Sequence, residues 1–375
     1  MDNDDLTFGD LLERGVAHLR DLLGPGWTVA PRSERAPSGV GLIIEVRPEG
    51  GNAYTELLVD AKTSVTPRLA EEVLVPKANL LRHVTGPTNL LVIAPWISPK
   101  TQELLRRHGI GYLDLTGNVS LRVTRPAIVI HTEGAPRAPR TTAPERSRTT
   151  LAGPKAGRLV RLLTDVRPPY RAMELARASG LSLGYVSRLL DSLEDQLLIR
   201  RDGREITDVD WPNLLRTRAA QDRLLRPNSY ISLLAPNGVP SVLDGIRELS
   251  SALLRRLALT GSYAAHQVAP LSAGGQLMLH VAPDVDLDDL TDDLGLLPVS
   301  ENADIVLLPA RDRVVFERTV TMEGLPYVAL SQLVLDCLSG PGRMPAEGEA
   351  VLKHMADHDR WRADGIADLR DRPRF

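Results

Sequence analysis

The amino-acid sequence predicts an α/β protein with more than one domain. The chain has 375 residues, which is enough for two or three domains that each bury a core of their own. Strand-like and helix-like stretches alternate before residue 134 and again after residue 227, whereas the stretch between them is mainly helical. A segment rich in Pro, Ala, Thr and Arg without apolar periodicity interrupts the pattern at 135–155 and predicts a linker.

The composition is that of a globular protein. Charged residues make up 25% of the chain and hydrophobic residues 43%, which excludes a fully disordered chain. The only cysteine is Cys337, so internal disulfides and cysteine-based zinc clusters are excluded. The opening MDNDDLTFGD lacks the basic-then-apolar order of a secretory leader, and no apolar run approaches ~18 residues. We therefore expect a cytoplasmic protein.

The net charge of −3 is unevenly distributed. Residues 151–226 carry 14 basic and 10 acidic side chains, while residues 227–375 carry 13 basic and 21 acidic ones. The linker adds four arginines against one glutamate. A basic centre between acidic flanks favours nucleic-acid contact at the centre, with Arg146, Arg148 and Lys155 as candidate contacts from the linker.

These patterns predict five consecutive parts. They are an α/β domain, a basic linker, a DNA-binding domain, an α+β domain and a flexible tail, with predicted bounds 1–134, 135–155, 156–226, 227–355 and 356–375.

The central part has the periodicity of three short helices. Apolar spacing predicts the first two at 156–165 and 171–178, the second with Met173 facing inward. Gly180 suits a tight turn, because glycine adopts left-handed backbone angles freely. Ser182 is a natural N-cap for the third helix, which runs to about Gln196. Five apolar residues form its expected buried stripe: Leu183, Val186, Leu189, Leu190 and Leu193.

A β-hairpin is predicted directly after the third helix. Residues 197–201 form one strand, Asp202-Gly203 the turn and residues 204–207 the returning strand. The whole stretch LARASGLSLGYVSRLLDSLEDQLLIRRDGREITD resembles the winged helix-turn-helix of bacterial transcriptional regulators. The resemblance implies that the third helix enters the DNA major groove. A winged helix used only for protein contacts is the alternative.

The resemblance gives a set of candidate DNA-binding residues. On the third helix they are Ser182, Gly184, Tyr185, Ser187 and Arg188, and in the hairpin they are Arg200, Arg201 and Arg204. Small residues allow close approach to base edges, and arginines bind bases or phosphates. Asp191 lies one turn beyond Arg188, and we expect it to orient that side chain.

In the N-terminal part, strands are predicted at 41–47, 54–62, 90–94 and 111–115, with helices at 70–84 and from Ser98 to His108. Asp60-Ala61-Lys62 ends the second strand, with Glu45 on the preceding strand and Glu13 in an earlier helix. This order resembles the core of the PD-(D/E)xK nuclease superfamily, with Asp60-Ala61-Lys62 where the superfamily has (D/E)xK. The resemblance implies two carboxylates that hold Mg²⁺ and a lysine that stabilises charge. The expected upstream aspartate is absent at Val40-Gly41, so an ion pair in an inactive remnant is the alternative.

A phrase running from Gly111 to Asn118 carries a second resemblance. It is similar to one that recurs in actinobacterial proteins combining a nuclease-like domain, a winged helix and a C-terminal domain. In physical terms, Thr116-Gly117-Asn118 predicts a turn between strands, with Asp114 as its cap.

The C-terminal part predicts helices at 242–257, 263–268 and 331–338 and strands at 276–281, 305–308 and 314–316. The junction Leu259-Thr260-Gly261-Ser262 resembles that of nucleotidyltransferases, but the strand that follows has no acidic residue, so we expect no transferase chemistry. The stretch YVALSQLVLDCLSGPGR resembles type IV (abortive-infection) antitoxin-like regulators, which implies a surface for dimerisation or a protein partner. His354 and His358 lack a third ligand, so no metal is expected.

The leading hypothesis is a sequence-specific regulator of transcription that binds double-stranded DNA, acts as a homodimer, contacts no membrane and needs neither catalysis nor a cofactor. Two alternatives stay open: a metal-dependent DNA nuclease targeted by the winged helix, which would need Mg²⁺, and an antitoxin that autoregulates its own toxin–antitoxin pair.

Overall fold

The computed structural model describes residues 7–32, 42–84, 88–136, 150–226, 229–271 and 275–370. The chain divides into two compact units, one formed by the residues before the gap at 137–149 and the other by nearly all of those after it. Both units mix helices and strands, and helix-turn-helix geometry occurs near the middle of the chain. The predicted class, an α/β protein of several parts with a central helix-turn-helix, is therefore confirmed.

The first unit is built on a seven-stranded sheet whose strands lie in sequence order. The strands are β1 (Trp27–Pro31), β2 (Leu42–Pro48), β3 (Thr55–Ala61), β4 (Thr88–Ala94), β5 (Gly111–Asp114), β6 (Val119–Val123) and β7 (Ile128–Thr132). β3, β4 and β5 are parallel neighbours, whereas the other neighbouring pairs are antiparallel. The parallel pairs follow from the helical crossovers between these strands.

Helices cover both faces of this sheet. They are α1 (Phe8–Leu23), α2 (Pro67–Leu69), a π-helical turn (Ala70–Leu74), α3 (Val75–Val84) and α4 (Pro99–Arg107). α1 packs on the face that carries Val59 and Ile93, and the other helices pack on the opposite face. A Cβ at Gly15 of α1 would lie 2.5 Å from Ile93 Cδ1, so only glycine allows this close approach.

The second unit begins with the helix-turn-helix and its hairpin. Its elements are α5 (Pro154–Asp165), β8 (Tyr170–Arg171), α6 (Ala172–Ser179), α7 (Leu183–Asp195), β9 (Ile199–Asp202), β10 (Glu205–Val209) and α8 (Trp211–Ala219). β10 is the central strand of a three-stranded sheet, between β8 and β9. All three predicted helices and the hairpin are therefore present.

A second seven-stranded sheet follows in the same unit, in the order β14-β11-β15-β13-β12-β17-β16. Its strands are β11 (Ile231–Leu234), β12 (Leu257–Thr260), β13 (Leu277–Val281), β14 (Leu297–Pro298), β15 (Ile305–Pro309), β16 (Val320–Met322) and β17 (Leu325–Tyr327). Its helices are α9 (Gly238–Glu248), α10 (Ser251–Leu254), α11 (Gly261–Val268), α12 (Leu287–Asp293), α13 (Leu330–Leu338) and α14 (Met344–Asp357).

Two predictions for the C-terminal elements are wrong. The single helix expected at 242–257 is divided, because the Ser250 side chain caps the separate α10 and Leu257 already belongs to a central strand. The strand expected at 314–316 is a 3-10 helix (Arg313–Phe316), since the Asp312 carboxylate accepts a hydrogen bond from the Val314 N–H and begins a helical turn.

One continuous apolar core joins the helix-turn-helix to the C-terminal sheet. Leu151 is fully buried in this core, so the residues after 150 that were expected in the linker belong to the folded unit. Residues 358–370, expected in a flexible tail, pack against the helix-turn-helix: Ala363 exchanges backbone hydrogen bonds with Asp165 and Arg167. Among the residues that the structure describes, no helix is long and apolar enough to cross a bilayer.

Candidate nucleic-acid interface

The helix α7 has one buried and one exposed face. Val186, Leu189, Leu190 and Leu193 are at most 1% exposed, as their spacing predicts. Leu183, predicted in the same stripe, is 45% exposed, because it is the first residue of the helix and no neighbouring element covers it. The solvent-facing side carries Ser182, Gly184, Arg188 and Asp191.

The turn before α7 fixes the angle between the two helices. Gly180 has a φ of 65°, and its N–H donates to carbonyls of the last turn of α6. The Leu181 N–H donates to the Ala176 carbonyl at 3.0 Å, which closes the turn. Met173 of α6, predicted to face inward, is 60% exposed, so that prediction is wrong; Leu175 and Ala176 form the buried side of this short helix.

Small residues lie at the N-terminal end of α7. The Ser182 hydroxyl accepts a hydrogen bond from the Tyr185 N–H at 3.4 Å, as expected of a cap. A Cβ at Gly184 would lie 3.8 Å from Arg188 Nη1, so these two residues are neighbours on the exposed face. Tyr185 is half-buried against the core, and burial raises the pKa of its hydroxyl, which therefore stays protonated as a donor. Ser187 is also partly buried.

The hairpin places its arginines differently from one another. Gly203, with a φ of 59°, forms the turn, and Arg200 and Arg204 are exposed beside it. Arg201 Nη1 instead lies 2.9 Å from Asp191 Oδ1 of α7. The expectation that Asp191 orients Arg188 is wrong, because the strand β9 brings Arg201 to this carboxylate.

Of the linker residues predicted to contact DNA, Lys155 is described, whereas Arg146 and Arg148 lie outside the described residues. Lys155 is exposed in the first turn of α5 rather than in a linker.

The residues of the nuclease-like motif form an ion-pair cluster. Asp60 is 1% exposed at the end of β3, and Lys62 Nζ lies 3.1 Å from its Oδ1. Lys77 Nζ of α3 lies 2.8 Å from its Oδ2, so both carboxylate oxygens face ammonium groups. Sequence reasoning missed Lys77. Its signal was a lysine on the helix that follows the strand, and the pairing itself depends on how α3 packs.

The other predicted acids of that motif lie elsewhere. Glu45 is opposite Glu56 in the β2–β3 register, four residues or about 13 Å along the strand from Asp60, and it accepts hydrogen bonds from Arg47. Glu13 is exposed on α1, which covers the opposite face of the sheet. Nowhere in the described ranges do three or more His, Cys, Asp or Glu residues cluster as a metal site would require.

Asp114 caps the turn after β5, as predicted. Its two carboxylate oxygens are fully buried and accept hydrogen bonds from the backbone N–H groups of Ile97, Thr116 and Asn118 and from the Asn118 amide. This set of donors accounts for the Gly111–Asn118 phrase as a structural element.

The C-terminal sheet contains a buried polar network that sequence reasoning missed. Asp336 of α13 accepts hydrogen bonds from Thr260, His280 and Gln332 at 2.7–2.8 Å. Gln332 in turn accepts from Arg161 of α5 at 2.8 Å. Asp336 and His280 are single polar positions in apolar runs, so apolar periodicity does not indicate that they interact with each other.

The other candidates in the C-terminal part give no site. β12 leads directly into α11, and His280 is the polar residue of the following strand, where a nucleotidyltransferase needs acids. The rings of His354 and His358 stack at 4.3 Å, and His358 Nδ1 is engaged by the His354 carbonyl.

The central region is similar to a known family of domains. Residues 155–203 match the family model described as the IclR helix-turn-helix domain. A solved structure titled "Structure of EndoMS in apo form" is 18% identical, over 30% of this chain and 47% of that one, with a TM-score of 0.22. The match thus spans about half the length of that chain. No curated protein matches.

The three helices, the hairpin and the family match at residues 155–203 together confirm the winged helix-turn-helix predicted for the central part, and they support a DNA-binding regulator.

Proposed function

We propose that the chain is a sequence-specific regulator of transcription that reads double-stranded DNA with α7. The observation that carries this proposal is the exposed face of α7, where small residues surround Arg188 beside a hairpin with exposed arginines, within the region that matches the IclR helix-turn-helix domain.

Base readout is assigned to the first turns of α7. Arg188 has no ion pair within the described part of the chain, and an arginine presented in the major groove binds guanine O6 and N7 with two hydrogen bonds. Gly184 adds no side chain beside it, so the backbone approaches the base edges closely. Ser182, Tyr185 and Ser187 supply hydroxyl donors to phosphates or bases.

The hairpin is assigned to the DNA backbone. Arg200 is exposed on β9 and Arg204 is exposed in the turn, which suits phosphate or minor-groove contact. Arg201, predicted to share this role, is held by Asp191 and contributes mainly by fixing the hairpin against α7.

Roles for the flanking parts are proposals of the same kind. The N-terminal unit, proposed to be nuclease-like in fold, supplies additional DNA contact, and the antitoxin-like C-terminal part supplies dimerisation, sensing or a protein partner. A homodimer suits reading of two half-sites. The protein acts in the cytoplasm without catalysis or a cofactor.

Selection of binding sites from random duplex DNA tests the proposal. The purified full chain is expected to enrich one shared motif. Gly184→Glu places a carboxylate beside Arg188 on an exposed helical face, so it is expected to abolish enrichment while leaving the thermal unfolding midpoint unchanged. Gly9→Glu, on the exposed face of α1, is the matched control and is expected to enrich the same motif.

Failure of the wild-type chain to enrich any motif would overturn the proposed function. Equal enrichment by the folded Gly184→Glu variant would overturn the assignment of α7 as the reading helix.

A further inference from the structure

A cavity of about 170 Å³ lies within the second unit, where α5 and α8 meet the C-terminal sheet and α13. Its wall combines apolar side chains, such as Leu308 and Leu335, with Arg161, Arg218, His280 and other polar groups. An apolar cavity of ~150 Å³ holds benzene, so this one has room for a small metabolite.

Two polar side chains that line the cavity each have a nitrogen without a hydrogen-bond partner among the residues that the structure describes. Arg218 is 9% exposed; its Nη2 donates to the Gly153 carbonyl and contacts Asp222, but Nη1 has no partner. His280 is 6% exposed; its Nε2 is bound to Asp336, but Nδ1 has no partner. Unmatched buried polar groups are costly, and a bound ligand removes that cost.

The electrostatics of the cavity favour an anion. Its three carboxylates already have partners: Asp222 pairs with Arg218 and Arg226, Asp312 with Arg158, and Asp336 with the network of His280 and Gln332. Burial lowers the pKa of Arg218, which means that its charge is incompletely compensated. An anion that contacts Nη1 would supply the missing compensation.

Two further features add positive potential. α5 begins at the cavity with Gly153, Pro154 and Gly157, and the N-terminus of a helix carries a partial positive charge that favours phosphate. Arg223 and Arg311 line the cavity as well and are exposed to solvent.

From these observations we propose that the cavity is a binding site for the phosphate group of a small phosphate monoester. The phosphate accepts hydrogen bonds from Arg218 Nη1 at the N-terminus of α5. His280 Nδ1 is an acceptor while Nε2 donates to Asp336, and it accepts a hydrogen bond from a hydroxyl group of the ligand. The cavity volume limits the ester to a few atoms beyond the phosphate. The proposal goes beyond the DNA-binding function and does not depend on it.

Titration calorimetry of the full chain without DNA tests the site, with inorganic phosphate and glycerol 2-phosphate as probes. We expect saturable binding with one site per chain and a rise in the thermal unfolding midpoint. Glycerol is expected to give no signal. Arg218→Gln is expected to weaken binding at least about 10-fold, since it removes a charge-assisted hydrogen bond.

Arg218 also has structural contacts, so a second variant keeps the test decisive. Arg311→Gln alters an exposed side chain at the cavity and is expected to weaken binding about 2- to 5-fold without changing the unfolding midpoint. Arg255→Gln, exposed and outside the cavity lining, is the control and should bind as the wild type does.

Absence of saturable binding by the wild type would overturn the proposal. So would binding that is unchanged in folded Arg218→Gln and Arg311→Gln, because the phosphate would then bind elsewhere. Acetate that binds as tightly as phosphate would overturn the assignment to a phosphate group.

Discussion

Asp191 of α7 and Arg201 of β9 form an ion pair, with 2.9 Å between Oδ1 and Nη1. The pair links α7, the helix proposed to read DNA, to the hairpin proposed to contact the DNA backbone. Both partners lie within one short helix–hairpin segment, so the pair is a direct contact between α7 and the hairpin in the absence of DNA.

Replacement of Asp191 tests how much this pair matters. The Asp191 side chain is 64% exposed, so Asp191→Asn is expected to lower the free energy of unfolding by less than about 1 kcal/mol in urea titrations. The variant removes a negative charge beside the proposed DNA surface and is expected to raise affinity for non-specific DNA at low salt. A loss of non-specific affinity would contradict this expectation, because it would mean that the lost contact between α7 and the hairpin outweighs the removed charge.

Arg161 is expected to be essential for the stability of the second unit. It is 1% exposed and donates to Gln332, to Asp165 and to the carbonyls of Val314 and Glu317. Burial lowers its pKa to about 10, so it remains charged at neutral pH.

Arg161→Met is therefore expected to cost about 3–5 kcal/mol in the free energy of unfolding, because several buried acceptors lose their donor. Urea titration with Arg255→Met as the exposed control measures this. A loss below about 1 kcal/mol would mean that the network does not stabilise the unit.

Asp114→Ala tests whether the Gly111–Asn118 phrase is structural. The change leaves buried N–H groups of Ile97 and Asn118 without acceptors, and we expect the first unit to lose about 3 kcal/mol of stability. Glu13→Ala, at an exposed position of α1, should leave stability unchanged. Hydrogen exchange measures the stability of each of the two units separately. Destabilisation confined to residues after 150 would contradict the assignment.

The geometry of Asp60 predicts that the chain does not cut DNA. Lys62 and Lys77 face both of its carboxylate oxygens, and Glu45 is about 13 Å away along the sheet. Supercoiled plasmid incubated with the full chain and Mg²⁺ or Mn²⁺ is expected to stay intact. Cleavage that disappears in both Asp60→Asn and Lys62→Met would favour the nuclease alternative instead.

Apolar periodicity predicts the helices of the central region well, because most of their buried residues face a single core. It fails at Leu183 and Met173, which are exposed at the beginnings of short helices. Whether a neighbouring element covers the first turn of a helix depends on the tertiary packing. The local spacing of apolar residues does not report that packing.

Sequence patterns do not predict long-range ion pairs, for the same reason. Asp191 is at helical spacing from Arg188, yet its partner is Arg201, because the hairpin places Arg201 next to α7. Lys77 reaches Asp60 only because α3 packs on that face of the sheet. Asp114, in contrast, caps a turn that lies within four residues of it, so this capping role is predictable, whereas its bond to the Ile97 N–H depends on the tertiary packing.

The most direct test of the account is the affinity of the full chain for its selected DNA site, compared with a scrambled duplex, in wild type, Arg188→Ala and the control Arg255→Ala. Arg188→Ala is expected to lose about 1–3 kcal/mol of binding free energy for the selected site and to keep most of its affinity for the scrambled one. Arg255→Ala should match the wild type. Equal affinity of wild type and Arg188→Ala for the selected site would contradict DNA reading by α7.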